Sequence, residues 1–269
     1  MRIGACTSAV EKWKLAAEIG YDYVEGNFAR IACMSDEEFE GTVAQLDKIG
    51  IRVETCNGFF PSQFRLYAYD PLTKAATGEL EEIKENVRTY ARQGFARAKQ
   101  LGTTLVVIGS GGARRRPEEL PHALAEEQLA EILSICATVA ADNGIAVTLE
   151  PLNQNETNLI NTLSESLDLM DRIGHPNIFA MVDFYHFSKE NEPMRVLDRA
   201  GGRLRHVHLC RADRYSCTPA DYDDLLPFVE HLKTVGYDAR LSFEGKLQND
   251  DAAQALRDTY ELFRRFRTL

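Results

Sequence analysis

Seven times along this chain an amphipathic helical stretch runs into a glycine and is followed, within a few residues, by a short apolar run of strand length. The glycines are Gly20, Gly50, Gly102, Gly144, Gly174, the pair Gly201-Gly202, and Gly236. Each suits the left-handed position that closes a helix. One further apolar run, residues 2–6, opens the chain, so the pattern predicts eight strands: 2–6, 21–25, 51–56, 104–108, 144–149, 178–182, 204–207 and 239–243. Helices are expected over 10–19, from Ser35, and over 78–101, 117–143, 163–173, 194–200, 222–235 and 250–266, with a long aromatic loop at 57–77. Strand and helix in strict alternation imply a parallel sheet. Eight such units in 269 residues, without a linker or a change in composition, imply closure into a single (β/α)8 TIM barrel spanning 1–269.

A doubly wound open sheet is the competing fold, and the strand ends argue against it. Polar residues in an open sheet concentrate at one switch point. Here they recur at strand after strand: Glu150 before Pro151, Asp183 after Val182, His208 after Val207, Glu244 after Phe243. Pro151 cannot donate to a ladder, so its strand must stop where the charge appears. In a closed barrel the C-terminal ends of all strands point to one mouth. Glu150, Asp183, His208 and Glu244 would therefore come from four consecutive staves and meet at the rim.

Composition removes several classes of function. With a net charge of -10, a pI near 5.2 and no extended Lys/Arg stripe, the chain is unsuited to duplex nucleic acid or an anionic membrane surface. The local Arg114-Arg115-Arg116 triplet is the exception, read as a charged loop or as a contact for phosphate or carboxylate. Six cysteines lie scattered without a CxxC pair, and the opening MRIGACTSAVEKWK carries charge where a secretory signal needs an apolar core. A reduced, cytoplasmic protein is expected, and no apolar run approaches the ~20 residues of a membrane span.

Three carboxylates and an imidazole make an oxygen-rich shell that suits one divalent ion, Mn²⁺ first, with Mg²⁺ or Co²⁺ as alternatives. The acids would repel one another without a cation. Four such ligands leave two positions open on an octahedral ion, enough for two adjacent oxygens of a hydroxy-ketone. The cation would then act as a Lewis acid on the carbonyl and hold the enediolate formed when the neighbouring carbon loses its proton.

The tetrad, the stretch from Glu150 to Asn158 (EPLNQNETN), Asp183-Phe184-Tyr185-His186, and His208 followed six residues on by Arg214 together resemble the D-tagatose/D-psicose 3-epimerase group of xylose-isomerase-like barrels. The resemblance covers the layout of the whole chain. It implies that Glu150, Asp183, His208 and Glu244 bind the metal, that Glu150 and Glu244 exchange the substrate proton from opposite faces, and that Glu156, His186 and Arg214 contact substrate oxygens. It also implies a small-molecule sugar substrate and a homo-oligomer, dimer or tetramer. One departure is Arg211, where the family carries an acid near the mouth. The sugar, and whether it is free, acidic or phosphorylated, stays open.

Alternatives keep the site and change the reaction, to aldose-ketose isomerisation or an inosose-type dehydration. An apurinic-site endonuclease needs a zinc cluster and more histidine and basic residues than six His and this charge supply. A non-catalytic sugar-binding subunit would be expected to lack the acid pair. Among the remaining candidates, Glu25 also ends a strand and carries low weight, and His206 reads as an interior histidine satisfied by a hydrogen bond. His122, His175 and His231 read as solvated. Phe59 and Phe60, in the long loop, are placed to cover the mouth.

Overall fold

The structure, a computed structural model, describes residues 1–248 and 251–269. Eight parallel strands close into one barrel in sequence order: β1 (Arg2–Cys6), β2 (Tyr23–Asn27), β3 (Val53–Asn57), β4 (Leu105–Ile108), β5 (Ala146–Leu149), β6 (Ile178–Asp183), β7 (Leu204–Leu209) and β8 (Arg240–Phe243). β8 returns to β1 through the register pairs Arg2↔Arg240 to Ala5↔Phe243, which closes the ring. Both faces of such strands are covered, so they read as continuous apolar runs; Leu105–Ile108 is buried throughout. Outside lie α1 (Val10–Ile19), α2 (Phe28–Cys33), α3 (Asp36–Ile49), α4 (Glu79–Gln100), α5 (Gly111–Arg114) and α6 (His122–Asp142). They are followed by α7 (Leu163–Ile173), α8 (Phe184–Lys189), α9 (Val196–Ala200), α10 (Tyr222–Thr234) and α11 (Ala252–Arg267).

The expected barrel is present, and the glycine stops hold. Gly50 and Gly174 end α3 and α7 at φ 78° and 62°, where any residue with a Cβ is strained. Ser35 and Glu38 form the expected reciprocal cap of α3.

Several boundaries differ from expectation, for local reasons. β2 starts at Tyr23 rather than residue 21, because Tyr21 and Asp22 are engaged before the strand: the Tyr21 hydroxyl donates to the Leu256 carbonyl at 2.9 Å, and Asp22 accepts the Ile3 N–H at 2.6 Å. α2 was unforeseen. Asn27 caps it by accepting the Arg30 N–H at 2.8 Å, and its Phe28, Ile31 and Ala32 are buried against α4. Residues 184–189, expected as loop, form α8, started by the Asp183 carboxylate accepting the His186 N–H at 3.2 Å. The helix expected from residue 117 begins at His122, and its first residues instead make the turn that leads to Pro121. The expected start of the last helix at Asp250 lies outside the described residues.

Phe59 and Phe60 do not form a cover over the mouth. Both are buried, Phe59 stacked on Phe28 of α2 with centroids 4.4 Å apart and edge-on to Tyr90 of α4. The long loop is thereby anchored to the helical layer by its aromatic residues. Among the described residues, no helix is long and apolar enough to cross a membrane.

Candidate metal centre

Where the strands end, Glu150 follows β5, Asp183 closes β6, His208 stands in β7 and Glu244 follows β8. One donor atom from each lies within 4.8 Å of all the others. His208 Nδ1 is 3.4 Å from Glu150 Oε1, 3.7 Å from Asp183 Oδ2 and 3.3 Å from Glu244 Oε2. These same four atoms are buried and have no hydrogen-bond partner. A buried polar group left unpartnered costs on the order of 1–3 kcal/mol, and more when charged. Four of them facing one point is the arrangement a cation resolves, and the donor set of three oxygens and one nitrogen fits a divalent ion.

The orientation of His208 is fixed from below. Its Nε2 donates to Glu25 Oε1 at 2.9 Å, which leaves Nδ1 facing the three acids. Glu25 sits in the barrel interior and is fully buried. Its other oxygen accepts from His206 Nε2 at 2.8 Å, Thr55 at 2.9 Å and Ser242 at 2.7 Å. Burial alone would raise the Glu25 carboxyl, but His208 and His206 outweigh it and hold it well below the usual range. Burial would likewise lower His208; the carboxylates of Glu25 and Glu244 instead raise it well above an ordinary histidine. His206 has the interior hydrogen-bonded role expected of it and is lowered by burial.

The acids at the rim differ. Glu150 is raised, chiefly by burial, with His208 opposing and Glu244 adding to the effect. Asp183 is pulled to about 2, burial opposing and His208 and His186 prevailing. Glu244 is more exposed, and its Oε1 accepts from Asn57 Nδ2 of β3 at 2.6 Å.

The three expected substrate contacts meet beside this centre. Arg214 pairs with Glu156 and lies 3.8 Å from Glu244 Oε2, its guanidinium 4.9 Å from the Tyr185 ring centroid. It holds φ 65°, a left-handed conformation that costs a residue with a Cβ about 1 kcal/mol or more. The buried His186 accepts the Asn153 N–H at Nδ1, so its proton lies on Nε2, 4.0 Å from Glu156 and otherwise unpartnered. Arg211 does not reach the centre: it pairs with Asp213 at 2.8 Å and faces Asp221. His122 and His231 each lie beside a carboxylate on the outer helices.

A model of the xylose isomerase-like TIM barrel family matches residues 13–266. The chain belongs to that family. Within it, the D-psicose 3-epimerase of Ruminiclostridium cellulolyticum is 33% identical over 238 residues, 85% of this chain and 75% of the relative. The 3-dehydro-D-guloside 4-epimerase of Escherichia coli K12 is 26% identical over 271 residues, 96% and 97% of the two chains. The apo crystal structure of E. coli 3-keto-D-glucoside 4-epimerase superposes with a TM-score of 0.78 over all of both chains, at 23% identity, a likeness of fold.

Three residues of this family member were undervalued in the sequence. Glu25 carried one legible signal, its place at the end of the expected second strand, 21–25. The Arg114 side chain is fully buried rather than looped into solvent; its Nη1 donates to the Glu150 carbonyl oxygen at 2.8 Å, so it holds the main chain of a rim acid. Burial lowers it to about 10. Asn57 gave no signal, since an asparagine after a strand most often caps or turns.

Proposed function

We propose that this protein is an isomerase, a metal-dependent sugar epimerase that inverts a hydroxyl-bearing carbon next to the carbonyl of a ketose or related keto-sugar. The observation that carries the reading is the convergence of four unpartnered donor atoms between Glu150 and Glu244, the two acids of the outermost staves of the tetrad. The 3- and 4-epimerases among the relatives support the reaction class. Glu150, Asp183, His208 and Glu244 would hold the ion, Mn²⁺ by preference, with Mg²⁺ or Co²⁺ as alternatives. Bound there, the ion supplies Lewis acidity that stabilises negative charge growing on the substrate oxygens.

The chain's own residues do the rest. Glu150 and Glu244 enter from strands separated by β6 and β7, so a carbon lying between them can lose a proton to one and regain it from the other on the opposite face. Arg214, Glu156 and the Nε2–H of His186 orient the oxygens beside the reacting carbon. The family resemblance also supports assembly into a dimer or tetramer, which sedimentation would read.

The test is NMR of ketohexoses and keto-glycosides incubated with the protein in D₂O. The expected result is solvent deuterium at one carbon beside the carbonyl, with its epimer accumulating. Activity should vanish on chelation, return with Mn²⁺, and fall by at least ~10³-fold in Glu150→Gln and Glu244→Gln, as for loss of an acid/base group. Exchange in no sugar, or full turnover in both variants, overturns the reading.

A further inference from the structure

The two acids at the outer staves of the tetrad are held by different means. Glu150 is fixed along its main chain: its N–H donates to the Ile108 carbonyl at 3.1 Å, and its own carbonyl accepts from Arg114 Nη1 at 2.8 Å. Glu244 has the most exposed side chain of the four and is gripped through the carboxylate itself. Asn57 Nδ2, on a strand three places round the ring from β8, donates to its Oε1 at 2.6 Å.

Strand register explains how β3 reaches that acid. Glu25 of β2 pairs with Thr55 of β3, and two residues on, Asn27 pairs with Asn57. Residues two apart on a strand share a face. Thr55 donates to Glu25 inside the barrel at 2.9 Å, so both asparagines stand on the interior face one layer nearer the mouth. There their side chains part. Asn27 caps α2 by accepting the Arg30 N–H at 2.8 Å, whereas Asn57 donates across the mouth to Glu244. Asn57 also borders a cavity of about 190 Å³, so close packing does not account for its orientation.

A competing donor stands on the other side of Glu244. Arg214 Nη2 is 3.8 Å from Oε2, the oxygen that faces His208 Nδ1 at 3.3 Å. An ion pair with Arg214 would draw that oxygen away from the other three donor atoms. A hydrogen bond to Oε1 opposes the swing, because it anchors the far side of the same carboxylate.

Resting on the epimerase reading above, we propose that Asn57 is the positioning residue for Glu244, fixing which carboxylate oxygen faces the metal position and how this acid meets the substrate carbon. The experiment compares two quantities: Mn²⁺ affinity, by competition with a chelator without sugar, and kcat, by deuterium exchange at saturating Mn²⁺. Asn57→Leu, which keeps the bulk and removes the donor, should weaken Mn²⁺ binding by ~10–100-fold and lower kcat by a similar factor, with the metal-free unfolding midpoint little changed. Asn57→Ala should do the same and carries the comparison if the leucine variant does not fold. Asn57→Gln, with the donor on a longer arm, should recover part of both losses. Asn27→Ala should behave in the opposite way, lowering the unfolding midpoint while Mn²⁺ affinity holds, since its partner is a helix end. Unchanged affinity and kcat in Asn57→Leu and Asn57→Ala, or a loss of stability alone, overturns the positioning role and leaves the epimerase reading intact. Exchange in no sugar by the wild-type protein overturns the epimerase reading, while the Mn²⁺ comparison still decides whether Asn57 holds Glu244.

Discussion

Glu25 lies one layer below the rim and touches no ligand position directly, yet it sets which nitrogen of His208 faces the acids. Glu25→Gln keeps the shape but can turn a donor toward the ring and weakens the hold on the tautomer. The expected outcome is a ~10–100-fold loss of Mn²⁺ affinity, the usual scale for an outer partner of a metal-binding histidine, read by competition with a chelator. An unchanged affinity would assign Glu25 to packing alone. The raised His208 gives a second expectation. Because the facing carboxylates raise its folded value above the ordinary 6.5, a proton competes with a metal for Nδ1. Metal affinity should therefore rise with pH, and uptake should release protons. Calorimetry in buffers of different ionisation heats measures this, and release of none would contradict the geometry at Nδ1.

Between residues and barrel, the loops after the strands place the acids by close backbone approach. A Cβ at Gly109, directly after β4, would stand 2.1 Å from Glu150 Oε2, whereas one at Gly112 in α5 would meet Ser62 at an ordinary 3.4 Å. Gly109→Ala is expected to displace the Glu150 carboxylate and lower kcat ~10²-fold, the effect of an ångström-scale misplacement, with little change in the unfolding midpoint. Gly112→Ala should act as wild type in the same assays. Gly4 plays the equivalent part inside the barrel, where a Cβ would lie 2.2 Å from the Tyr23 ring. Overpacking there would cost about 1–3 kcal/mol, seen in denaturant unfolding.

For the whole molecule, the tetrad joins four staves of the closed ring, so an ion held there would couple its binding to folding. An ion that binds only the folded barrel stabilises it by about 2.7 kcal/mol at a concentration 100 times its Kd. Thermal unfolding should shift upward with Mn²⁺ and back with chelator, and the shift should disappear in His208→Gln. A shift that persists there would place the ion elsewhere. The layered architecture was legible throughout because its signal is periodic: glycine stops and apolar runs repeat, and each repeat reinforces the next. α2 and α8 were not legible because each follows its strand without a loop between them, started by a side chain at the strand end, Asn27 and Asp183.

The sequence by itself determined the eightfold alternation, the barrel it forces, and the four strand-end residues that a barrel must bring to one mouth, since chain order and strand direction fix those. Tertiary structure alone decided which nitrogen of His208 faces the acids, that Arg114 turns inward onto a carbonyl, that Arg211 turns away, and that Asn57 reaches Glu244. Those outcomes depend on side-chain direction and on partners as far as 187 residues apart, and no local pattern encodes them.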